Sequence, residues 1–235
     1  MTLFNHQHLL DRLLQEIETE VTYTRGYTGR DRLNPRVYQA LRRVARHRFV
    51  PRELEREAYA NRPLPIGHGQ TISQPYIVAL MTDLLDLDEQ SVVLEVGTGS
   101  AYQAAVLAEL AGSVYSIELV PELAQTARQS LRDAGYSNVA VREGNGAAGW
   151  PEYAPYDGII VTAAAPTIPP ALVEQLKVGG RLVIPIGMPW GSQQLMRGIK
   201  QEAGGLALRD VLPVAFVPLV GEVDPESLEA PSEPG

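Results

Sequence analysis

Leu9, Leu10, Leu13, Leu14 and Ile17 fall on one face of a helix, which is expected over residues 7–20. Residues 22–34 are rich in glycine, threonine and charge and read as a loop. Pro35 suits the first turn of a second helix with Asn34 as its cap, and Val37, Leu41 and Val44 form the buried side. Phe49-Val50-Pro51 ends that helix, and a short one is expected over 52–59. Residues 63–75 hold three prolines and two glycines without a period, so they read as a surface loop dense in polar groups. Pro75 opens a third helix whose apolar face is Ile77, Val78, Leu80, Met81, Leu84 and Leu85, ending near residues 86–89.

From Ser91 the pattern alternates. Strands are expected at 92–96, 114–118, 139–143, 158–162 and 181–186, and helices at 102–111, 121–134 and 169–177. Pro121 and Gly135 mark the start and end of one of these helices. Such alternation predicts an α/β protein with a parallel sheet and helices on both faces. Two further strands, 193–200 and 207–219 (broken by Pro213), follow without a helix, so the sheet should end antiparallel. The chain divides into an N-terminal helical region, 1–90, packed on a core, 91–220, and an acidic tail, 221–235, expected to be disordered.

Candidate chemistry centres on residues 92–103. An apolar run ends in Glu95, breaks at Gly97-Thr98-Gly99-Ser100, and resumes as a helix. A G-x-G turn at the end of a first parallel strand can cradle a nucleotide, although an ordinary strand–turn–helix gives the same pattern. Glu118 lies 19 residues beyond Gly99 at the end of the second strand. A carboxylate there matches the two hydroxyls of a ribose, or is a solvated strand-end acid. Gly144-Asn145-Gly146 follows the third strand and is either an adenine edge or a simple turn. Glu95 is unusual inside a parallel strand; a carboxylate offsets a sulfonium or α-amino charge and so favours S-adenosylmethionine over NAD, unless it is only a strand-end acid reaching water. His68 and Ser73 do not make a hydrolase, because no G-x-S-x-G elbow and no second suitable histidine accompany them.

The net charge is −8, but the last 15 residues contribute Glu222, Asp224, Glu226, Glu229 and Glu233. Without them 23 acids face 20 bases, which disfavours a broad nucleic-acid face. The basic run at 42–48 reads as a solvated helix face. Absence of cysteine removes disulfide, thiolate and cysteine–zinc chemistry and fits a cytoplasmic protein. The four histidines lack metal spacing, and neither a signal-peptide pattern nor a membrane-length apolar run is visible.

Several stretches together resemble the protein-L-isoaspartate (D-aspartate) O-methyltransferases. They are Arg48-Phe49-Val50-Pro51, residues 63–74 and 93–103, Ser116-Ile117-Glu118, Asn138-Val139, Gly149-Trp150-Pro151-Glu152, Ala154-Pro155-Tyr156-Asp157, residues 159–166, Gln175-Leu176-Lys177, Gly179-Gly180-Arg181-Leu182 and Phe216-Val217-Pro218-Leu219. The likeness spans roughly residues 35–221, and the Gly67–Gln74 loop, with Thr71-Ile72-Ser73 at its core, is its most specific part. It implies a class I S-adenosylmethionine-dependent methyltransferase (Rossmann-like) with a seven-stranded sheet, helices on both faces, and an N-terminal helical region. The implied substrates are isoaspartyl and D-aspartyl residues in damaged proteins and peptides. Ser73 matches the serine to which catalysis is assigned, within an active-site loop of Gln70, Thr71, Ile72 and Ser73. Glu95, Gly97, Thr98, Gly99 and Ser100 match the methionine side of the cofactor site, Glu118 with Leu119 the ribose, and Asn145-Gly146 the adenine edge.

Two departures stand out, Ala101 and Asn145, where the family usually has glycine and aspartate. A methyl group at a crowded cofactor contact, and a lost charge, lead to an expectation of weakened donor affinity. The alternatives are a degenerate relative that binds peptide or cofactor without turnover, and a relative that methylates another carboxylate. No interface heptads are visible, so a monomer without metal, nucleic acid or membrane is expected.

Overall fold

The computed structural model describes residues 6–188 and 191–219. Helix α1 spans His6–Thr28, well past the expected end at residue 20. Its threonines do not break it: the Thr19, Thr22 and Thr24 hydroxyls donate to the carbonyls of Gln15, Glu18 and Glu20 one turn back. Val21 and Thr28 continue the buried face, and Gly29 at φ +69° stops the helix. Helix α2, Pro35–Arg43, starts as expected, with Asn34 Oδ1 accepting from Arg36 N. A 3-10 helix, Arg52–Glu57, lies where a short helix was expected over 52–59, and another, Arg46–Phe49, follows α2, which stops short of the expected end at Phe49.

Residues 63–75, expected to be a loop, form a hairpin of β1, Leu64–Gly67, and β2, Gln70–Ile72. His68 and Gly69 occupy its turn with φ of +53° and +69°, and paired positive φ values match the twist of antiparallel strands. Helix α3, Pro75–Leu85, follows and is nearly all buried.

The remaining elements follow the expected order. They are β3 Val92–Val96, α4 Tyr102–Ala108, β4 Ser113–Glu118, α5 Pro121–Ala134, β5 Val139–Glu143, β6 Tyr156–Val161, α6 Pro170–Gln175, β7 Leu176–Gly187, β8 Gln193–Lys200 and β9 Leu206–Val214. The seven strands from β3 onward form one sheet in the order β5-β4-β3-β6-β7-β8-β9, with β8 and β9 antiparallel. Pro213 lies inside β9, which is tolerated because β9 is an edge strand. The acidic tail at 221–235 lies outside the described residues.

Alternation along the central strands sorts two cores. Val93, Val114, Ile160 and Val183 pack with α1–α4, whereas Leu94, Ile117, Ile159, Leu182 and Leu172 pack on the other face. Strand order reverses at β3, which is flanked by β4 on one side and β6 on the other. Open α/β sheets bind ligands at the carboxyl ends of strands at such a reversal.

The opposite end is held by Asp157 at the foot of β6. Its Oδ2 accepts from Val92 N at 2.8 Å, and Lys177 Nζ lies 2.7 Å from Oδ1. Asp157→Ala should lower unfolding free energy by about 1–3 kcal/mol, the range for stranding a partly buried donor. Urea denaturation checks this, and a change below about 0.5 kcal/mol would show that the clasp contributes nothing.

Candidate active site

An open pocket sits over the carboxyl ends of β3 and β4. Gly97, Thr98, Gly99 and Ser100 form one wall; Glu118 and Leu119 form another; Gly146 closes a third. Gln70, Thr71, Ile72 and Ser73 of the hairpin face them. Eleven sequence-predicted residues therefore meet at one place. Thr162, just past β6, and Val217, Pro218 and Leu219 also line it; they lie in stretches that carry the family resemblance but had been given no site role. Thr162 carried a usable signal: it is the first polar residue after a buried parallel strand beside β3.

The glycine loop is held by its own backbone. Gly97 N and Thr98 N share the Ile117 carbonyl at 2.9 and 3.3 Å. Gly97 has φ +96°, and a Cβ there would stand 2.4 Å from Thr162 Oγ1. Glycine is thus required at 97 for both conformation and space. Gly99 N donates to Glu118 Oε2 at 2.7 Å, and Val120 N donates to Oε1 at 3.0 Å. Glu118 is only 6% exposed, yet each oxygen keeps a further lone pair for a hydroxyl group. Apolar Val96, Ile117 and Leu119 flank it, so the cavity pairs an apolar slot with a strand-end carboxylate. That donor and acceptor set fits a nucleoside.

Glu95 does not lie on the cavity wall. It is fully buried behind the loop, where the Ser116 hydroxyl donates to its Oε2 and Ser116 Oγ in turn meets Thr98 Oγ1 at 2.5 Å. Burial, with Glu118 adding repulsion against the Ser116 hydrogen bond, pushes its carboxyl up to about 8. At neutral pH it is a protonated brace under the loop, not the exposed anion that the sequence suggested. Asn145 is also off the wall: its Oδ1 accepts from Ala147 N at 2.9 Å and caps a 3-10 turn, so the turn reading describes its side chain.

A second open pocket adjoins the first. Glu20 and Thr24 of α1, Tyr76 of α3 and residues 212–217 line it. Thr71, Ser73, Thr162 and Val217 belong to both cavities. The site is therefore two chambers meeting at Ser73 and Thr162. The basic run at 42–48 is not uniformly solvated: Arg46 is 1% exposed and donates from Nη2 to the Ser73 carbonyl at 2.9 Å.

The family model for protein-L-isoaspartate(D-aspartate) O-methyltransferase (PCMT) matches residues 27–224. This chain belongs to that family. Protein-L-isoaspartate O-methyltransferase 2 of Syntrophobacter fumaroxidans is 57% identical over 210 residues, covering 89% of this chain and 85% of the relative. The enzyme of the same name from Polaromonas sp. (strain JS666) is 56% identical, covering 89% of this chain and all of the relative. A solved protein-L-isoaspartate O-methyltransferase superposes with a TM-score of 0.76 at 26% identity, covering 89% of this chain and 65% of that one. A putative member from Plasmodium falciparum, solved with S-adenosyl-L-homocysteine, superposes with a TM-score of 0.72 at 24% identity, covering 92% and 98%. The fold is accordingly that of the class I methyltransferases, with their seven-stranded sheet.

Against the family pattern, Ala101 adopts φ +69°, the left-handed conformation that suits glycine. Its methyl group, however, is fully buried in the helix-side core and does not line the cavity. The expected crowding of the cofactor therefore does not arise from this side chain. Left-handed backbone costs an L-residue about 1–2 kcal/mol, and burying a methyl returns about 0.8 kcal/mol. Ala101→Gly should change stability by less than about 1 kcal/mol and S-adenosylhomocysteine affinity by less than about threefold, measured by denaturation and calorimetry. A tenfold gain in affinity would restore the crowding explanation.

Glu95 yields a pH prediction. The fold holds its proton more tightly than the unfolded chain, whose carboxyl titrates near 4.5. Stability must then fall as pH rises between about 4.5 and 8, and fall no further on this account above 8. Glu95→Gln cannot ionise. Its melting temperature relative to the parent should climb across that window and level off, whereas a pH-independent difference would refute the buried protonation.

Proposed function

We propose that this chain transfers a methyl group from S-adenosylmethionine to the free carboxylate of L-isoaspartyl and D-aspartyl residues in damaged proteins and peptides. The observation that carries this reading is the pair of chambers joined at Ser73 and Thr162, one suited to a nucleoside and the other open to a peptide. Family membership supplies the substrate class.

Gly97, Thr98, Gly99 and Ser100 hold the amino-acid end of the donor, Glu118 and Leu119 its ribose, and Gly146 the adenine edge. Glu95 and Asn145 act one layer back, by bracing Ser116–Thr98 and by capping the turn behind Gly146. Gln70, Thr71 and Ile72 cover the junction. When bound, the donor supplies a methyl group on cationic sulfur and departs as a neutral thioether.

Little acid–base work is left to the protein. A carboxylate is already ionised at neutral pH, and a neutral leaving group needs no acid. The task is to align carboxylate oxygen, methyl carbon and sulfur, and positioning alone accelerates such a step greatly. Ser73 performs it by donating a hydrogen bond to the acceptor carboxylate. Ser73 lies between Ile72, the last residue of β2, and Gln74, the N-cap of α3, so regular structure begins within two residues on either side.

Cytoplasmic residence and a monomeric state that binds neither nucleic acid nor membrane complete the reading. Its support is the cysteine-free composition, the acidic charge, and the lack, among the described residues, of a helix long and apolar enough to cross a membrane.

Labelled S-adenosylmethionine and one short peptide in isoaspartyl and normal aspartyl forms test the activity. Transfer should occur to the isoaspartyl form alone; transfer to neither, by folded protein at saturating donor, would overturn it. In the same assay Ser73→Ala should lower kcat/KM by about 10- to 100-fold, the worth of a hydrogen bond to a charged group. S-adenosylhomocysteine affinity should stay within about threefold. Unchanged turnover would remove Ser73 from the mechanism.

A further inference from the structure

Arg46 is the most deeply buried charge near the site. It is 1% exposed, and burial lowers its guanidinium to about 10, which still leaves it fully charged at neutral pH. Nε donates to the Ala58 carbonyl at 2.8 Å and Nη2 to the Ser73 carbonyl at 2.9 Å. Nη1 has no hydrogen-bond partner. The guanidinium carbon lies 4.8 Å from the centre of the Tyr102 ring, and Tyr102 lines the first cavity. Among the described residues, no carboxylate lies within ion-pair distance of Arg46.

A buried cation normally sits beside an anion, because desolvation is otherwise uncompensated. Here two carbonyls and a ring face offset part of that cost, and no fixed negative charge completes the pairing. The chain as a whole carries −8, which opposes entry of an anionic acceptor. A single positive charge fixed behind the Ser73 peptide unit acts in the opposite sense where the acceptor carboxylate must stop. In a poorly solvated wall such a charge is weakly screened.

We infer that Arg46 is the counter-charge for the acceptor carboxylate, a positioning residue that acts from behind the wall while holding the Ser73 backbone. This rests on the reading of the Ser73 loop as the acceptor side. Two carboxylates enter the site, the acceptor's and the amino-acid carboxylate of the donor. The direct bond to Ser73 assigns Arg46 to the acceptor.

The test compares an isoaspartyl peptide with the same peptide bearing the neutral isoasparaginyl amide, each measured for binding in the presence of S-adenosylhomocysteine. The unaltered protein should prefer the acid by at least about tenfold. Arg46→Met, which fills similar space without charge, should weaken the acid about tenfold and leave the amide and S-adenosylhomocysteine within about threefold. Arg46→Lys should keep most of the preference, because it keeps the charge while losing the forked hydrogen bonds. If acid and amide weaken together, Arg46 is only structural and the inference fails. If S-adenosylhomocysteine weakens while the acid preference survives, the charge serves the donor and the inference fails. Should Arg46→Met not fold, Arg46→Lys decides: folded, S-adenosylhomocysteine-binding protein without the acid preference overturns the proposal. Ser73→Ala with unchanged turnover would instead strike the underlying reading of the loop, whatever the Arg46 variants do.

Discussion

One carboxylate ties together the turns that frame the first chamber. Glu118 accepts from Gly99 N on one side and from Val120 N on the other, so the β3–α4 and β4–α5 turns share an anchor. Hydrogen bonds from backbone N–H to an ionised acceptor are shorter and stronger than neutral ones. The neighbouring N–H groups of Gly97 and Thr98 are committed to Ile117, the residue just before the anchor. The loop is therefore shaped by acceptors that β4 supplies. Gly97 then has no room for a side chain, because Thr162 fills that space and donates to the Gly97 carbonyl. Three strand ends, β3, β4 and β6, are interlocked, which builds the chamber into the fold.

The second chamber is held by a different logic. It lies where the N-terminal helices meet the sheet edge, and its walls come from α1, the hairpin, α3, the end of β9 and the segment after it. Glu20 of α1 accepts from Asn61 and Gln74, and Asn61 Oδ1 in turn accepts from Tyr76 N. These bonds join α1 directly to Gln74, the residue after Ser73, and through Asn61 to the first turn of α3. Polar contacts from a helix far away in sequence thus fix a hairpin of seven strand residues that has little core of its own.

The parallel half of the molecule is legible in the sequence because its signals are local. Strands of five or six residues rich in valine and isoleucine, Pro121 at a helix start and Gly135 past its end each announce an element without help from the rest of the chain. The hairpin is not legible in that way. Its strands have four and three residues, and Pro65 interrupts the only stretch with β character. The site shows the same division. Residue types pointed to the glycine loop and Glu118, but direction needs the pleat: Val93 and Glu95 face one side of the sheet, Leu94 and Val96 the other. Only Val96 of these reaches the cavity, so Glu95 became a buried brace. Arg46 was hidden for a related reason. A run of arginines looks the same whether its members face water or whether a 3-10 turn sends one inward, as it does here.

Backbone strain follows the same geography. Among the described residues, His68, Asp86 and Ala101 are the non-glycine positions with positive φ. His68 turns the hairpin, Asp86 ends α3, and Ala101 leads from the glycine loop into α4. Histidine and aspartate enter left-handed backbone more readily than most side chains, whereas alanine gains nothing there from its own chemistry. What holds Ala101 is the loop on one side and the helix on the other: its N–H donates to Thr98, and its carbonyl accepts from Ala105. The conformation is imposed by the need to turn from β3 into α4 within five residues while leaving Gly97 and Gly99 facing the chamber. The fold fixes the angle, and the residue bears the strain because its methyl group finds a place in the core.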